Sequence, residues 1–331
     1  MSRIRPWTNG DQVALDGAGN VPVVVDSTTP IDVTGPLTDT ELRTSPIDVI
    51  GPLTDTELRA SQVPVDSRLV DELGVPYGIK HVNNQPRVVA KPYYVAIAED
   101  NIPSHTPIYK FGSNQSAGTT EATIWSEGIV YPWDAIDLAV GIVKLSSTSA
   151  SDTAAGTGAR TATIYGLSLA GLEQNETLTL NGQTPVNSTL SYNRVFMIIC
   201  RTAGTARKNA GVIRVGTGTV TAGVPAVIWA RVNAGDNQTL QCVYTVPTGA
   251  TLYMVAAEYS VNGNKGADGR IYTRPPGELF QIKDIFHMAG GIEPHEYHMP
   301  RKFESGTDID FRAIAGQAGT DIAANFTGWY E

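Results

Sequence analysis

Residues 308–314 read DIDFRAI, and this stretch alternates strictly between charged and apolar side chains. The two sets occupy alternate positions, Ile309, Phe311 and Ala313 against Asp308, Asp310 and Arg312. A period of two is that of a β-strand. It is clearest in an antiparallel strand that turns one face to the core and the other to water. The stretch therefore predicts an antiparallel strand whose charged face is exposed to solvent.

Short apolar runs separated by turn residues recur along the chain after residue 90. They cover residues 93–98, 122–131, 138–145, 160–169, 177–180, 194–201, 211–215, 226–232, 239–246, 251–261, 270–273, 278–288, 308–314 and 321–331. About fourteen such runs, with no convincing long helix among them, predict an all-β fold. We expect residues 91–331 to form an antiparallel, jelly-roll-like β-sandwich.

Composition excludes several classes of protein. The chain has 331 residues, a formal net charge of −9 and only 17% charged residues, so a basic surface for nucleic acid is not expected. No apolar run is long enough to span a bilayer, and MSRIRPWTNGDQ at the start lacks a signal-peptide core. We expect synthesis in a cytoplasm without membrane insertion, and two buried, reduced thiols at Cys200 and Cys242.

A near-perfect duplication stands near the start of the chain. PIDVTGPLTDTELR at residues 30–43 and PIDVIGPLTDTELR at residues 46–59 differ only at Thr34 and Ile50. Each unit begins with an alternating apolar pair, breaks at Gly-Pro and continues with the Thr and Glu spacing of a capping box. Solenoid repeats are longer, about 20 to 45 residues, and need at least about three copies.

Such units cannot bury their own apolar side chains. We therefore expect residues 1–90 to form an extended attachment and oligomerisation arm that packs against other copies or a larger body. The side chains expected at that contact are Ile31, Val33, Leu37, Leu42, Ile47, Val49, Leu53 and Leu58. A disordered linker is the alternative, favoured by the abundance of Pro, Thr, Asp and Gly.

Few residues suggest chemistry. Residues 287–298, HMAGGIEPHEYH, contain three of the five histidines. His295 and His298 are three apart, which lacks the HExxH spacing of a helical zinc site and places them on opposite faces of a strand. GLSLAG at 166–171 lacks the second glycine of a nucleophile elbow, and GVIRVGTGTVTAG at 211–223 is typical of a hairpin. We predict no catalytic, cofactor-binding or metal-binding residues and no enzyme activity.

The repeats of the PLTDTELR type, flanked by PIDV, resemble segments of tailed-bacteriophage virion proteins, near the attachment ends of fibre and decoration proteins. In the body, residues 177–188, 201–218 and 238–254 are similar to β-sandwich phage structural proteins. The resemblance implies a homotrimeric structural protein located in the virion and without a cofactor. The chain departs from long fibres because it lacks a collagen-like or coiled-coil shaft.

Three functions follow from these observations. The first is a fibre-like homotrimer anchored by its arm to capsid, collar or tail, whose β-sandwich projects toward a host surface glycan or protein. The second is a cement or decoration protein that stabilises the capsid shell. The third, from a different class, is a soluble carbohydrate-active or metal-dependent enzyme with residues 287–298 at its site.

Overall fold

The computed structural model describes residues 78–82, 85–89, 92–263 and 265–331, which all belong to a compact unit formed by residues 69–331. The duplicated units lie outside the described residues, as do the predicted contact side chains Ile31, Val33, Leu37, Leu42, Ile47, Val49, Leu53 and Leu58. The arm and its boundary near residue 90 therefore stay predictions.

The described residues are almost entirely β-structure, and every strand pairing is antiparallel. The strands are β1 (Gly78–Val82), β2 (Gln85–Val89), β3 (Thr106–Ala117), β4 (Ala122–Thr123), β5 (Gly141–Ser147), β6 (Ala159–Ser168), β7 (Glu173–Thr179), β8 (Val186–Ala203), β9 (Ile213–Thr221), β10 (Val224–Val232), β11 (Val243–Thr245), β12 (Leu252–Val261), β13 (Ala267–Arg274), β14 (Gln281–Met288), β15 (Gly291–Phe303), β16 (Asp308–Ala315) and β17 (Thr320–Tyr330). Two short helices, α1 (Tyr93–Ala98) and α2 (Trp133–Asp137), accompany them. No helix in the described part of the chain is long and apolar enough to cross a membrane.

Eight of these strands form a jelly roll. One sheet has the order β15-β12-β17-β3, and the other has the order β4-β16-β13-β14, with β11 beside β4 along the same edge of β16. Along the chain, successive strands of the jelly roll alternate between the two sheets except at β13 and β14. This is the arrangement of a double Greek key, and it confirms the predicted all-β, jelly-roll-like sandwich.

The two sheets share one apolar core. Phe311 of β16 stacks on Tyr259 of β12 at 5.6 Å and on Phe326 of β17 at 5.5 Å between ring centroids. Phe286 of β14 and Met254 of β12 are buried in the same cluster. The apolar face of DIDFRAI therefore points into the sandwich, as its alternation predicts.

A second β module is inserted into the connection between β4 and β11. Its six strands have the order β10-β9-β5-β8-β6-β7 and enclose a separate apolar cluster that includes Trp229, Tyr192 and Ile164. The predicted hairpin at 211–223 is confirmed, since β9 and β10 are joined by a turn at Ala222 and Gly223, both with positive φ. Residues 91–331 thus contain one jelly roll and one inserted sheet.

Both ends of the insertion are held by one residue of β16. The Ile124 amide donates to the carbonyl oxygen of Phe311 at 2.7 Å, and the Phe311 amide donates to the carbonyl of Cys242 at 3.3 Å. Cys242 in turn donates to the Ile124 carbonyl at 2.9 Å. These backbone bonds fix the point at which the chain leaves the jelly roll and returns to it.

Two expectations from the sequence are wrong. The charged face of β16 is not exposed, because the insertion and the segment that contains α2 cover it, and Asp308 and Asp310 are both buried. Residues 93–98 form α1 rather than a strand, with Ala96 and Ile97 packed near Trp329. Short apolar runs do not distinguish a strand from a buried helical turn.

Gly112 of β3 packs against the backbone of Ile124 and Cys242, the two ends of the insertion, which we call the neck. A Cβ atom there would lie 2.4 Å from the Cys242 nitrogen and 2.5 Å from the Ile124 oxygen, both of them backbone atoms that cannot rotate away. We predict that Gly112→Ala lowers the free energy of unfolding by at least about 2 kcal/mol. Urea denaturation measures the change.

Gly118→Ala is the matched control, because its nearest neighbour would be the Thr120 nitrogen at 3.9 Å. An equal effect of both substitutions would show that the close approach at Gly112 does not limit packing at the neck.

Candidate functional site

A cluster of buried ion pairs lies on the outer face of β16, between the jelly roll and the insertion. Asp308 accepts hydrogen bonds from Arg194 of β8, at 3.2 Å from both Nε and Nη2, and from Arg274 of β13, at 3.0 Å and 2.6 Å. The Thr245 hydroxyl donates to the same carboxylate at 2.5 Å. One carboxylate of the jelly roll therefore holds an arginine of the inserted sheet.

Asp310 is the second buried carboxylate, and its residue is 0% exposed. It accepts from Thr123 Oγ1 at 2.8 Å, from Trp133 Nε1 at 2.9 Å and from Arg312 Nε at 2.7 Å. Burial raises the pKa of Asp310, and the neighbouring Arg312 and the three hydrogen bonds oppose that rise. Ionised Asp310 thus depends on its full set of partners.

Aromatic rings cover the guanidinium groups of this cluster. The Trp133 ring lies 5.4 Å from Arg194 and 5.7 Å from Arg274. The Phe280 ring lies 4.9 Å from Arg274 and 5.1 Å from Arg312. Cation–π contacts of this kind strengthen when water is excluded. Trp133 of α2 and Phe280 of the β13–β14 loop therefore shield the charged face of β16 from water.

A cleft of about 540 Å³ opens beside the cluster, and Arg194, Arg274, Asp308 and Asp137 contribute to its wall. All three guanidinium nitrogens of Arg194 already donate, to Asn193, Asp137 and Asp308. Those of Arg274 are likewise occupied by Asp134, Asp137 and Asp308. The arginines of the cleft are thus already paired, which suits a fixed contact between modules better than a ligand.

One further buried carboxylate is satisfied by neutral donors. Asp152, in the loop before β6, accepts from the backbone amides of Ala159, Ala210 and Gly211 and from the Ser147 hydroxyl, at 2.6 to 2.8 Å. A carboxylate held by three amides organises loops. This set of contacts serves the fold of the insertion.

The histidine-rich segment does not assemble a metal centre among the described residues. His287 bonds Asp268 at 2.8 Å between Nδ1 and Oδ1, and His295 packs on the Tyr297 ring. Across the described ranges, no group of three or more His, Cys, Asp or Glu side chains is placed to hold a metal ion. The segment forms the turn between β14 and β15 and most of β15 itself.

The remaining sequence candidates are not set up for nucleophilic chemistry. Ser168 Oγ, in the segment that resembles a nucleophile elbow, only accepts from the Leu172 amide. Both cysteines are free, Cys242 being buried and Cys200 partly buried. Burial raises the pKa of Cys200 to about 12 and that of Cys242 further, which disfavours the reactive thiolate.

Sequence reasoning found the strand that carries the cluster but not the cluster. Arg194 lies 114 positions from Asp308 in the chain. Neither of the two strands that carry them has a sequence feature that points to the other. The available signal was the pair of aspartates inside an otherwise apolar, strand-forming run. A charged face on a strand predicts contact with water, but here it contacts distant arginines.

Comparisons with known proteins add little. No family model matches the chain, and no curated protein matches it. It aligns with the VP2 subviral particle of infectious bursal disease virus over 69% of its length and 76% of that chain, at 11% identity and a TM-score of 0.17. The Gt strain structure of the same virus aligns over 72% and 76%, at 10% identity and 0.15. TM-scores this low carry no statement about the present chain.

The ion-pair cluster predicts a large effect for removal of one carboxylate. Asp310→Ala leaves Trp133 Nε1 and Arg312 Nε without their acceptor in a buried site. We expect the free energy of unfolding to fall by about 3–5 kcal/mol. Chemical denaturation at neutral pH measures it.

Asp268→Ala removes the exposed partner of His287 and is the control, for which no measurable loss is expected. Equal stability of wild type and Asp310→Ala would show that the cluster does not hold the body together.

Lys110 of β3 makes a second contact between the modules, and it predicts a pH effect. Its Nζ donates to the Phe196 carbonyl of β8 at 2.6 Å, and burial lowers its pKa from 10.5 to about 8, although Cys242 raises it. Between those two pKa values the unfolded chain binds a proton that the folded chain has lost, so this residue favours folding more as pH rises.

We therefore expect Lys110→Met to reduce the gain in stability between about pH 7 and about pH 9.5, relative to wild type. Urea denaturation of both proteins at the two pH values measures the difference, in which the titration of other groups cancels. Parallel pH dependences in the two proteins would contradict the burial of the ammonium group.

Proposed function

We propose that this chain is a structural protein of a tailed-phage virion and not an enzyme. The observation that carries the proposal is the complete jelly-roll strand order of the body, an architecture used by viral capsid proteins and also by lectins and cupins. A fold alone does not fix a function. The resemblance of the duplicated PLTDTELR units to virion proteins favours the first of these classes.

The chemistry of the described residues supports the same proposal. The charges on β16 are paired, Asp308 with Arg194 and Arg274 and Asp310 with Arg312, and the lining of the cleft beside them includes no serine, cysteine or histidine. A catalytic site needs a group free to exchange a proton or attack a substrate. The interior contacts favour rigidity instead, which a particle component requires.

The proposed assembly is a homotrimer built by the arm. Each unit presents an Ile/Val pair and a Leu pair, and a twofold axis would bury only one of these sets. Three chains around an axis can shield both sets from water, at about 1.5–3 kcal/mol for each buried side chain. The arm would attach the trimer to capsid, collar or tail, and the body would project outward, where its loops could contact a host glycan or protein.

A cement protein of the capsid shell is the second candidate. In that role the arm threads between neighbouring capsid subunits and the body clamps them. The number of copies per particle separates the two, because hundreds indicate decoration and a few to a few tens indicate a fibre. Quantitative mass spectrometry of purified particles gives that number.

Native mass spectrometry tests the trimer directly. We expect the full-length chain to give a species of about three times 35.3 kDa. Replacing Ile31, Val33, Ile47 and Val49 together by Ser should remove it without changing the melting of the body, because the contact loses its apolar side chains.

Thr34, Thr40, Thr44 and Thr56 replaced together by Ser form the matched control, which changes polar positions in and beside the same units. A monomer or dimer of the wild-type chain at micromolar concentration, or a trimer that survives the apolar replacements, would refute the proposed arm contact.

A further inference from the structure

The outer surface of the edge strands β14 and β15 leaves large apolar side chains exposed to water. β14 is the edge strand of one jelly-roll sheet, and β15 is the edge strand of the other. The two strands are consecutive in the chain and lie on the same side of the sandwich. Four large apolar side chains stand open to water on them, Ile282 (46% exposed), Ile285 (49%), Ile292 (66%) and Met299 (84%). Large apolar side chains exposed on consecutive edge strands favour an interaction site on a soluble protein. We call this surface the β14–β15 edge.

Strand β15 is exposed on both of its faces from Gly291 to Lys302, apart from the partly buried Tyr297. It also contains Pro294 and Pro300, and its register with β12 shifts in a bulge beside Tyr297. Prolines and bulges prevent a continuous ladder of backbone hydrogen bonds across an edge. A partner at this edge must therefore be held by side chains.

The charges along β15 are divided between its two halves. Glu293 and Glu296 lie in the first half, and Arg301 and Lys302 lie in the second. Arg301 pairs with the partly buried Asp284 at 3.4 Å and lies 4.9 Å from the Tyr297 ring, and Lys302 pairs with the exposed Glu304 at 2.9 Å. Within the described ranges, no ion pair involves Glu293 or Glu296. The strand thus has an acidic half and a basic half that complement each other in sign.

We propose that a second copy of this chain packs on the β14–β15 edge across a twofold axis. In that arrangement the two β15 strands run antiparallel, and the acidic half of each faces the basic half of the other. A twofold contact is self-complementary by symmetry, which is the property that one acidic and one basic half provide. The twofold axis then passes near the midpoint between Glu293 and Lys302, which falls between Tyr297 and His298. Met299 lies within about 7 Å of that midpoint along the strand.

The contact has a consequence for the assembly that rests on the proposed function. A trimer built by the arm uses one kind of contact and is complete by itself, which suffices for a fibre. A second, twofold contact on the body joins trimers to one another and allows a closed shell. The β14–β15 edge thus adds to the proposed trimer a contact that joins one trimer to the next.

Charge reversal tests the proposal in the full-length chain. One variant carries Glu293→Lys with Glu296→Lys, and the other carries Arg301→Glu with Lys302→Glu. Sedimentation velocity over a concentration series follows association. We expect each variant alone to lose at least about tenfold in the body-to-body affinity of wild type. An equal mixture of the two should recover that affinity, because opposite charges then face each other at both ends of the contact.

Met299→Glu tests the apolar part, and Leu169→Glu is its control, since Leu169 is 57% exposed in the turn between β6 and β7. Only the first should weaken association, and circular dichroism confirms that all variants are folded. A wild-type chain that never exceeds the oligomer made by its arm overturns the proposal. So do variants that associate as wild type, or a mixture that recovers nothing.

The two proposals fail separately. If the arm does not form trimers, the β14–β15 edge still predicts a reversible dimer that Met299→Glu abolishes. Conversely, the trimer could be lost only on replacing Ile31, Val33, Ile47 and Val49, while wild type shows no further association. That result supports the proposed arm contact and refutes the proposed contact at the β14–β15 edge.

Discussion

The neutralisation of two carboxylates on one strand determines how the body of this protein is built. Asp308 and Asp310 are buried on the outer face of β16, and a buried carboxylate without partners costs several kcal/mol. Their partners come from elsewhere in the chain, Arg194 from the inserted sheet and Trp133 from α2. The insertion can therefore occupy only the orientation that completes both sets of hydrogen bonds.

Strand β16 also contributes to the jelly-roll core and holds the two ends of the insertion. Its apolar face fills the jelly-roll core through Phe311, whose backbone amide and carbonyl also bind the two ends of the insertion. An error in the register of β16 would expose the core side chains, unpair the carboxylates and detach the neck together. The jelly roll and the insertion are thus expected to unfold as one cooperative body.

Sequence patterns predicted the all-β fold and most strands because those strands bury an alternate set of side chains. They failed at the edges, where β15 exposes both faces and shows no apolar period. They also failed on β16, since alternation identifies two faces but not what covers the second one. That cover depends on Arg194, 114 positions away from Asp308, and no local pattern contains it. The repeats predict an arm contact that the described residues do not include.

The distribution of satisfied and unsatisfied groups indicates where this protein can act. Around β16 the guanidinium groups of Arg194 and Arg274 already have acceptors, so binding a ligand there would first require breaking ion pairs within the fold. On the β14–β15 edge, by contrast, Ile292 and Met299 remain in water. Burying such side chains against a partner releases free energy without disturbing the interior. We therefore propose that this protein interacts at its periphery, through the β14–β15 edge.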